Sequence, residues 1–234
     1  MSEPSSHEAQ RGFLIALDGP AGAGKSTTAQ RVADALGFGY LDSGALYRCV
    51  AVAALEDGVA LDDDAALGEL VARIKVESIE RGRRFLLNGR DVTDRIRAPE
   101  ISQAASKSSA CPTVRRLLVE WQRNAAHPPG TVVEGRDIGT VIFPDADLKV
   151  FLDADPEERA RRRSLELAAK QSGDAAAATV AREMAERDRR DSTRPVAPLA
   201  AAPDAVVLDT TRLEIDQVVS KILAEVALRR SSSK

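Results

Sequence analysis

The sequence predicts a three-layer α/β fold in which helices cover both faces of a sheet of five parallel strands. Short apolar segments alternate with longer segments of helical periodicity through most of the chain, and that alternation is typical of a parallel sheet. A glycine-rich loop follows the first predicted strand and precedes the first predicted helix. One segment, residues 61–97, breaks the alternation and predicts a small antiparallel sheet.

The alternation places strands at residues 13–18, 38–42, 131–134, 148–153 and 206–209. It places helices at residues 25–36, 44–56, 113–126, 156–171, 177–190 and 214–228. The helix at 113–126 has the clearest period of 3.6 residues. The residues that share its apolar face are Val114, Leu117, Leu118 and Trp121. The predicted core therefore spans residues 12–60 and 98–228.

Residues 61–97 are predicted to form an insert on this core. A short helix at 64–73 precedes two segments, 74–79 and 85–92, which fit strands joined by a turn at Arg81-Gly82. Asn88-Gly89 is a second signal for a tight turn. The polar ends of the chain, residues 1–11 and 229–234, are predicted to be a disordered leader and a disordered tail.

Composition limits the possible functions. The 234 residues fit one domain, or one domain with an insert. The formal net charge is −3 and only 3% of residues are aromatic, so a nucleic acid polymer is not an expected partner. No apolar run approaches the ~20 residues of a membrane span, and no signal peptide is evident. We expect a cytoplasmic protein whose cysteines, Cys49 and Cys111, are buried reduced thiols.

The most specific motif is the loop Gly19-Pro20-Ala21-Gly22-Ala23-Gly24-Lys25-Ser26. Its spacing and its place between a strand and a helix are those of a phosphate-binding loop. The glycines allow backbone N–H groups to surround an anion, and the start of the helix adds positive potential. Lys25 can reach the outer phosphates. The motif therefore predicts a nucleotide polyphosphate, expected to be ATP, as a ligand.

Magnesium is expected with that nucleotide. The Ser26 hydroxyl can bind the ion directly. Glu134 or Asp137, at the end of the third predicted strand of the parallel sheet, could supply an acidic group near it. No Asn-Lys-x-Asp segment that would recognise guanine is present in the sequence, which disfavours a GTPase.

Two predicted strands end in an acidic residue with an arginine nearby. Asp42, Ser43 and Arg48 follow one strand, and Arg136 and Asp137 follow another. Ligands of open parallel sheets bind at the carboxyl ends of the strands, so these residues predict a second site beside the phosphate loop. The alternatives are a simple helix cap, with Ser43 as the capping residue, and a charged turn.

Arginines are concentrated on two predicted helices near the carboxyl end. They are Arg159, Arg161, Arg162 and Arg163 on the first helix and Arg187, Arg189, Arg190 and Arg194 at the end of the second. Neighbouring glutamates could make both groups ordinary solvated surfaces. A Gly/Ala-rich link at 172–178 instead favours a lid, whose guanidinium groups would stabilise a phosphoryl-transfer transition state and exclude water.

Together these motifs resemble the bacterial cytidylate kinases, the CMP/dCMP kinases of the nucleoside monophosphate kinase group. The resemblance covers residues 14–227. It rests on the phosphate loop and on the segments LDSGALYR, EGRDIGTVIFPDA and RDRRDSTR, which begin at Leu41, Glu134 and Arg187. It implies the fold of the P-loop NTPases, with residues 61–97 as an insert that binds the nucleoside monophosphate and residues 156–194 as a helical lid.

The resemblance also implies the residues of the site. ATP would be bound by Gly19, Pro20, Ala21, Gly22, Ala23, Gly24, Lys25, Ser26 and Thr27. CMP would be bound by Asp42, Ser43, Arg48, Ser106, Arg115, Arg136, Asp137, Arg187, Asp191 and Arg194. Catalysis would depend on Lys25, Arg136, Arg159, Arg162 and Arg163. Among these, Ser106, Arg115 and Asp137 match positions that recognise cytosine.

The implied reaction is transfer of the γ-phosphoryl group of ATP to CMP or dCMP by a monomer. Two departures from some relatives concern the magnesium site, since Ser26 replaces a glycine and Glu134 replaces an aspartate. Other acceptors, such as UMP, AMP or shikimate, are alternatives within the kinases. A nucleotide sensor that transfers no phosphate is the alternative from another class.

Overall fold

The computed structural model describes residues 12–169 and 177–232. The expected leader at 1–11, most of the expected link at 172–178 and the last two residues of the expected tail lie outside these ranges. The strands are β1 (Phe13–Asp18), β2 (Gly39–Asp42), β3 (Val76–Ile79), β4 (Arg84–Leu87), β5 (Arg90–Asp91), β6 (Gly130–Gly135), β7 (Leu148–Asp153) and β8 (Val206–Asp209).

The helices cover both faces of the main sheet and flank the small one. They are α1 (Lys25–Leu36), α2 (Ser43–Glu56), α3 (Asp64–Arg73), α4 (Pro99–Ser108), α5 (Pro112–Asn124), α6 (Pro156–Ala169), α7 (Ala177–Thr193) and α8 (Ile215–Ser232). None of the helices in the described ranges is both long and apolar enough to cross a membrane. Cys49 and Cys111 are buried and unpaired, as predicted.

The predicted fold class is confirmed. Five parallel strands form the main sheet in the order β2-β6-β1-β7-β8. Its register aligns the carboxyl ends of the three strands on one side, because Asp18 of β1 is opposite Gly135 of β6 and Asp42 of β2 is opposite Glu134. The side chains that close these strands therefore lie next to one another at a single edge of the sheet.

The small sheet is antiparallel, as predicted, and contains β3, β4 and β5. Asn88 and Gly89 form the tight turn between the last two strands with φ angles of 51° and 80°, which suits an Asn-Gly pair. The inner face of the sheet carries the fully buried Phe85, which belongs to one hydrophobic cluster with residues of α2, α3, α4 and α5. The segment 61–97 thus shares its core with helices outside its predicted bounds.

Two sequence expectations differ from the structure. Helix α4 was not predicted, because residues 99–108 are small and polar and show only a short apolar face. The expectation of a disordered tail from residue 229 is wrong for residues 229–232, since α8 continues to Ser232. Arg229 donates a hydrogen bond to the Asp147 carbonyl, and Arg230 lies 5.4 Å from the ring centroid of Phe13; both contacts stabilise that last turn.

Candidate active site

The phosphate loop is fixed by contacts that only glycine permits. Gly19 has φ 146°, and a Cβ atom there would lie 2.0 Å from the Leu152 carbonyl oxygen. Gly24 caps α1 in the left-handed conformation, so Lys25 is the first residue of the helix. The Lys25 ammonium is buried and donates to the Pro20 carbonyl at 2.6 Å. Burial and the neighbouring Arg136 lower the pKa of Lys25 well below its usual value.

The loop is also held from behind by the two arginine-rich helices. The backbone N–H of Ala21 donates to Asp188, and the Ala21 carbonyl accepts from Arg159. Arg159 and Asp188 themselves form an ion pair, and Arg159 also donates to the Ala154 carbonyl. Both backbone polar groups of Ala21 are therefore held by side chains of these helices, and its N–H group donates to a carboxylate.

This arrangement corrects the expectation for Arg159. We expected a catalytic lid arginine, but its side chain is buried under the phosphate loop and lines neither of the clefts described below. Its Nε donates to the Ala154 carbonyl and its Nη1 donates to the Ala21 carbonyl and to Asp188, so this guanidinium holds the loop in place. The sequence analysis assigned no role to Asp188, which completes these contacts, because it assigned the function of this segment to Arg187 and Asp191.

Two clefts meet at the phosphate loop. The loop cleft is formed by residues 22–28, by arginines of α6 and by the segment 210–215 after β8. The arginine cleft lies on the other side, between the carboxyl ends of β2 and β6 and helices α2, α4, α5 and α7. Lys25, Ser26 and Arg163 line both clefts. They stand where a group held in one cleft would face a group held in the other.

The expected ATP residues divide between these clefts. Residues 22–27 line the loop cleft, Ala21 lines the arginine cleft, and Gly19 and Pro20 line neither. Arg162 lies in the loop cleft, where it donates to the Thr210 carbonyl at 2.6 Å and pairs with Glu158. Of the three expected lid arginines, Arg163 alone reaches the boundary between the clefts, and it pairs there with Glu166.

Positive charge exceeds negative charge in the arginine cleft. Among the described residues, eight basic side chains line it: Lys25, Arg48, Arg97, Arg115, Arg136, Arg163, Arg187 and Arg194. Five acidic side chains line it: Asp42, Glu134, Asp137, Glu166 and Asp191. The excess of three positive charges is local, because the whole chain has a net charge of −3. Such a cleft favours an anionic ligand.

Two partly buried arginines in this cleft each have a buried hydrogen-bond donor without an acceptor. Within the described part of the chain, Arg48 Nη1 and Arg187 Nε are buried and make no hydrogen bond. Their nearest carboxylates, Asp42 and Asp191, lie 3.6 and 3.8 Å away. Burial, with help from Arg136 and Arg48, lowers the pKa of Arg187 to about 9. Burying a donor without a partner is costly, so this geometry is that of a site for an anion.

The far end of the arginine cleft combines an acceptor with several donors. The Asp137 carboxylate forms ion pairs with Arg115 and Arg194, and all three side chains are buried. Arg115 lies 5.5 Å from the ring centroid of Tyr47, which also lines the cleft. The Ser106 hydroxyl lines the same cleft from α4. This end of the cleft is therefore suited to a flat polar ring with both donor and acceptor atoms.

The acidic residue that ends β2 caps the next helix, which corrects the expectation for Ser43. Asp42 is the N-cap of α2 and accepts from the Ala45 N–H at 2.9 Å, whereas Ser43 is already helical. Burial alone would raise the pKa of Asp42, but Arg48 and Arg97 lower it below its usual value. Arg97 pairs with Asp42 at 2.8 Å. Sequence reasoning missed Arg97 because it is the last residue of the predicted insert and belongs to no motif.

The structure separates the two candidates for the acidic group near magnesium. Asp137 is occupied by two arginines. Glu134 is buried at the carboxyl end of β6 and accepts from the Tyr40 hydroxyl. Burial and nearby Asp42 raise its pKa, and Ser26 is close enough to counteract part of that rise. In the described ranges no group of three or more His, Cys, Asp or Glu side chains could hold a metal. Magnesium usually keeps several water ligands and needs only one or two ligands from the protein. Ser26 and Glu134 are therefore a set of residues that fits this ion.

The family follows from the comparison of this sequence with known proteins. The family model described as cytidylate kinase matches residues 15–228. The chain belongs to the cytidylate kinase family. It is 48% identical to the cytidylate kinase of Azotobacter vinelandii over 94% of this chain and 97% of that protein. It is 49% identical to the cytidylate kinase of Solibacter usitatus over 96% of this chain and 97% of that protein.

Solved structures support the fold alone. An uncharacterized protein from Eubacterium ventriosum matches with a TM-score of 0.52 and covers 92% of this chain and 98% of its own. Its sequence identity to this chain is only 12%. The match therefore adds nothing about the substrate of this member of the cytidylate kinase family.

The structure of this cytidylate kinase family member brings together the residues that were predicted to bind CMP. All of them line the arginine cleft: Asp42, Ser43, Arg48, Ser106, Arg115, Arg136, Asp137, Arg187, Asp191 and Arg194. Gly135 permits this close assembly, because a Cβ atom there would lie 2.5 Å from the Ser43 hydroxyl. The residues come from four distant parts of the sequence, so their convergence is a property of the fold.

A further buried carboxyl positions the turn that carries Arg136 and Asp137. Asp18, at the end of β1, accepts hydrogen bonds from the Ile138 and Gly139 N–H groups, both at 2.8 Å. Burial is the main cause that raises the pKa of Asp18 from 3.8 to about 6. A raised carboxyl pKa means that the folded state binds the proton more tightly than the unfolded state. Protonation of Asp18 therefore stabilises the fold as the pH falls from about 6 to about 4.

We predict that Asp18 titrates in the folded protein with a midpoint near pH 6, because its carboxyl is buried at the sheet edge. The measurement is the ¹³C chemical shift of the carboxyl carbon as a function of pH in the protein without ligands. Asp91, which is exposed and whose pKa is lowered to about 2 by its bonds to Thr93 and Arg84, serves as the internal control. A midpoint near 4 for Asp18 contradicts this description of its environment.

Proposed function

We propose that this chain transfers the γ-phosphoryl group of ATP to CMP or dCMP, giving ADP and CDP or dCDP. Its family membership supports this reaction, since the relatives that it matches over nearly their whole length are named cytidylate kinases. Two clefts that share Lys25, Ser26 and Arg163 suit a reaction between two bound ligands. The loop cleft would hold ATP, and the arginine cleft would hold the monophosphate.

The observation that carries the proposal is the unpaired donors of Arg48 and Arg187. A phosphate monoester offers oxygens to both guanidinium groups and neutralises part of the excess positive charge around them. Arg136 is near Arg48, Arg187 and Lys25 of the phosphate loop, since its charge contributes to the lowered pKa of each. Its Nε donates to Asp191 at 3.0 Å. We infer that these three arginines hold the acceptor phosphate in line with the donor.

The base would occupy the far end of the arginine cleft. Cytosine has an exocyclic amine that donates, and a ring nitrogen and a carbonyl that accept. Asp137 supplies an acceptor, while Arg115 and Ser106 supply donors, so the two sets are complementary. A buried polar site of this kind discriminates strongly, because a base with the opposite pattern leaves its groups without partners.

Positioning and electrostatics would provide most of the rate. Lys25 and the loop N–H groups would hold the ATP phosphates, and Arg163 would neutralise charge between the clefts. Magnesium, held by Ser26 and near Glu134, would supply charge neutralisation on the ATP phosphates. No general base is required, because the attacking phosphate oxygen of CMP is already ionised at neutral pH.

Two competing functions predict different behaviour. A nucleotide sensor requires one nucleotide site, whereas the second cleft here carries its own excess of positive charge and its own polar end. UMP or AMP would use the same phosphate contacts but would not match the full set of donors and acceptors at Asp137. Shikimate has no phosphate to occupy those contacts. That the protein acts as a cytoplasmic monomer stays a prediction.

The proposal predicts that the protein releases ADP from ATP and magnesium only when a suitable acceptor is present. A coupled assay of ADP release should give the highest kcat/KM with CMP or dCMP in a panel that includes UMP, AMP and shikimate. ATP alone is the control for hydrolysis. ATP binding without CMP-dependent release of ADP would support the sensor. A higher kcat/KM with another acceptor would show that CMP is not the preferred substrate.

Arg48→Gln is predicted to lower kcat/KM for CMP by roughly 30- to 100-fold, because a charged donor to the acceptor phosphate is lost. The KM for ATP should change little, since Arg48 does not line the loop cleft. Arg31→Gln is the matched control. It removes the same charge from α1, where Arg31 forms an exposed ion pair with Asp216 of α8, and it should leave kcat/KM within about twofold. Equal effects of both substitutions on kcat/KM would contradict a role for Arg48 in binding the acceptor phosphate.

A further inference from the structure

Tyr40 connects the interior of the main sheet to the acidic group that we place near magnesium. Its ring is buried in the hydrophobic cluster that α1 and α8 form with strands of this sheet, and its hydroxyl donates a hydrogen bond to Glu134 Oε1. Glu134 and Ser26 line the arginine cleft, and Ser26 also lines the loop cleft. The tyrosine hydroxyl therefore supports, from within the core, a carboxylate at the boundary between the two clefts.

The bond to Tyr40 holds Glu134 without neutralising its charge. Among the described residues Glu134 forms no ion pair, whereas Asp42 and Asp137 each form ion pairs with two arginines. A phenol is a neutral donor, and a donor to a carboxylate favours its charged form. Of these three carboxylates at the sheet edge, Glu134 is therefore the one whose charge is left for a cation.

The length of the glutamate side chain explains why it needs support. Glutamate has one more rotatable bond than aspartate, and a bound ion would have to restrict that freedom. The bond from Tyr40 restricts it in advance and holds both carboxylate oxygens of Glu134 in place. Partners that orient a carboxylate in a metal site matter for affinity, since their loss costs roughly 10- to 100-fold.

The insert holds the tyrosine from the other side. Gly82, in the turn between β3 and β4, has φ 79°, and a Cβ atom there would lie 2.5 Å from the Tyr40 carbonyl oxygen and 2.8 Å from its ring. The next residue, Arg83, forms an ion pair with Asp34 of α1 at 2.8 Å. The turn of the insert therefore packs directly on the residue whose hydroxyl holds Glu134.

We propose that Tyr40 is a positioning residue for the magnesium site: its hydroxyl fixes the Glu134 carboxylate beside Ser26, and the insert turn at Gly82 keeps its ring in place. This inference rests on the proposed function, because it requires magnesium at Ser26 with the ATP phosphates. Tyr40 lines neither cleft, so it acts through Glu134 and touches neither nucleotide.

The test compares Tyr40→Phe with Thr131→Val. Both substitutions remove a buried hydroxyl from paired strands, but Thr131 lies near the amino end of β6, where it bonds to His127. We measure by calorimetry the affinity of each full-length protein for AMPPNP, a non-hydrolysable ATP analogue, with Mg²⁺ and with EDTA. Tyr40→Phe should lower the ratio of the two affinities by roughly tenfold. Thr131→Val should leave this ratio within about twofold of the wild-type value.

A double-mutant cycle tests whether Tyr40 acts through Glu134. Adding Tyr40→Phe to Glu134→Gln should change the affinity ratio by less than about twofold, because the carboxylate that Tyr40 positions is absent. A further tenfold fall in the Glu134→Gln background would contradict the inference, and so would an unchanged ratio in Tyr40→Phe alone. A purely structural role of the tyrosine would weaken AMPPNP binding equally with and without magnesium, which leaves the ratio unaltered.

NMR of the wild-type protein provides a second measurement if Tyr40→Phe does not fold. The chain has two tyrosines, so labelling with ¹³C at Cζ gives two signals, which Tyr47→Phe assigns. Adding Mg²⁺ to protein saturated with AMPPNP should shift the Tyr40 signal, since its oxygen bonds to Glu134. It should shift the Tyr47 signal less, because Tyr47 does not line the loop cleft. A Tyr40 signal that magnesium leaves unmoved would overturn the inference.

Failure of the proposed function would give a different result. Wild-type protein that bound AMPPNP equally well with Mg²⁺ and with EDTA would contradict the magnesium site of the proposed function. Wild-type protein that released no ADP with CMP would contradict the proposed reaction. A magnesium effect in the wild type that Tyr40→Phe retained in full would contradict only the role of Tyr40.

Discussion

Uncompensated positive charge at the carboxyl edge of the main sheet is the constraint on which the site depends. The Arg48 and Arg187 side chains are 17% and 21% exposed, but each has a buried donor that no described residue satisfies. Desolvation lowers the pKa of both groups. The free energy cost of this arrangement is offset when a phosphate binds. The unpaired donors therefore lower the stability of the unliganded protein and increase the free energy gained when the acceptor phosphate binds. We expect the protein to be less stable without the acceptor than with it.

The scaffold confines these charges by rigid contacts. The parallel register aligns Asp42, Glu134 and Asp18 at one edge, and each carboxylate then has a separate task. Asp42 caps α2 and pairs with arginines, Glu134 lies beside Ser26, and Asp18 holds the turn after β6. The contacts of Ala21 with Asp188 and Arg159 connect the phosphate loop to both arginine-rich helices. A movement of those helices would therefore also displace the loop.

Sequence reasoning predicted the elements better than the contacts between them. Alternation and the glycine loop were sufficient for the parallel sheet, and two strand segments with turn signals at Arg81-Gly82 and Asn88-Gly89 were sufficient for the small one. The roles of Arg159 and Asp188 depend on which side of a helix meets another element, and an arginine-rich helix has the same spacing in either case. Arg97 ends a single 3-10 turn that is too short to show a period. The course of α8 past residue 228 depends on contacts with Asp147 and Phe13 that are distant in sequence.

The most direct test of the central claim is the NMR signal of the Arg187 Nε–H group during titration with CMP and, separately, with cytidine. Cytidine carries the same base and ribose but no phosphate. If the unpaired donor serves the acceptor phosphate, CMP should shift this signal downfield and slow its exchange with water, and cytidine should do neither. Equal responses to the two ligands, or no response to CMP at saturation, would contradict the account.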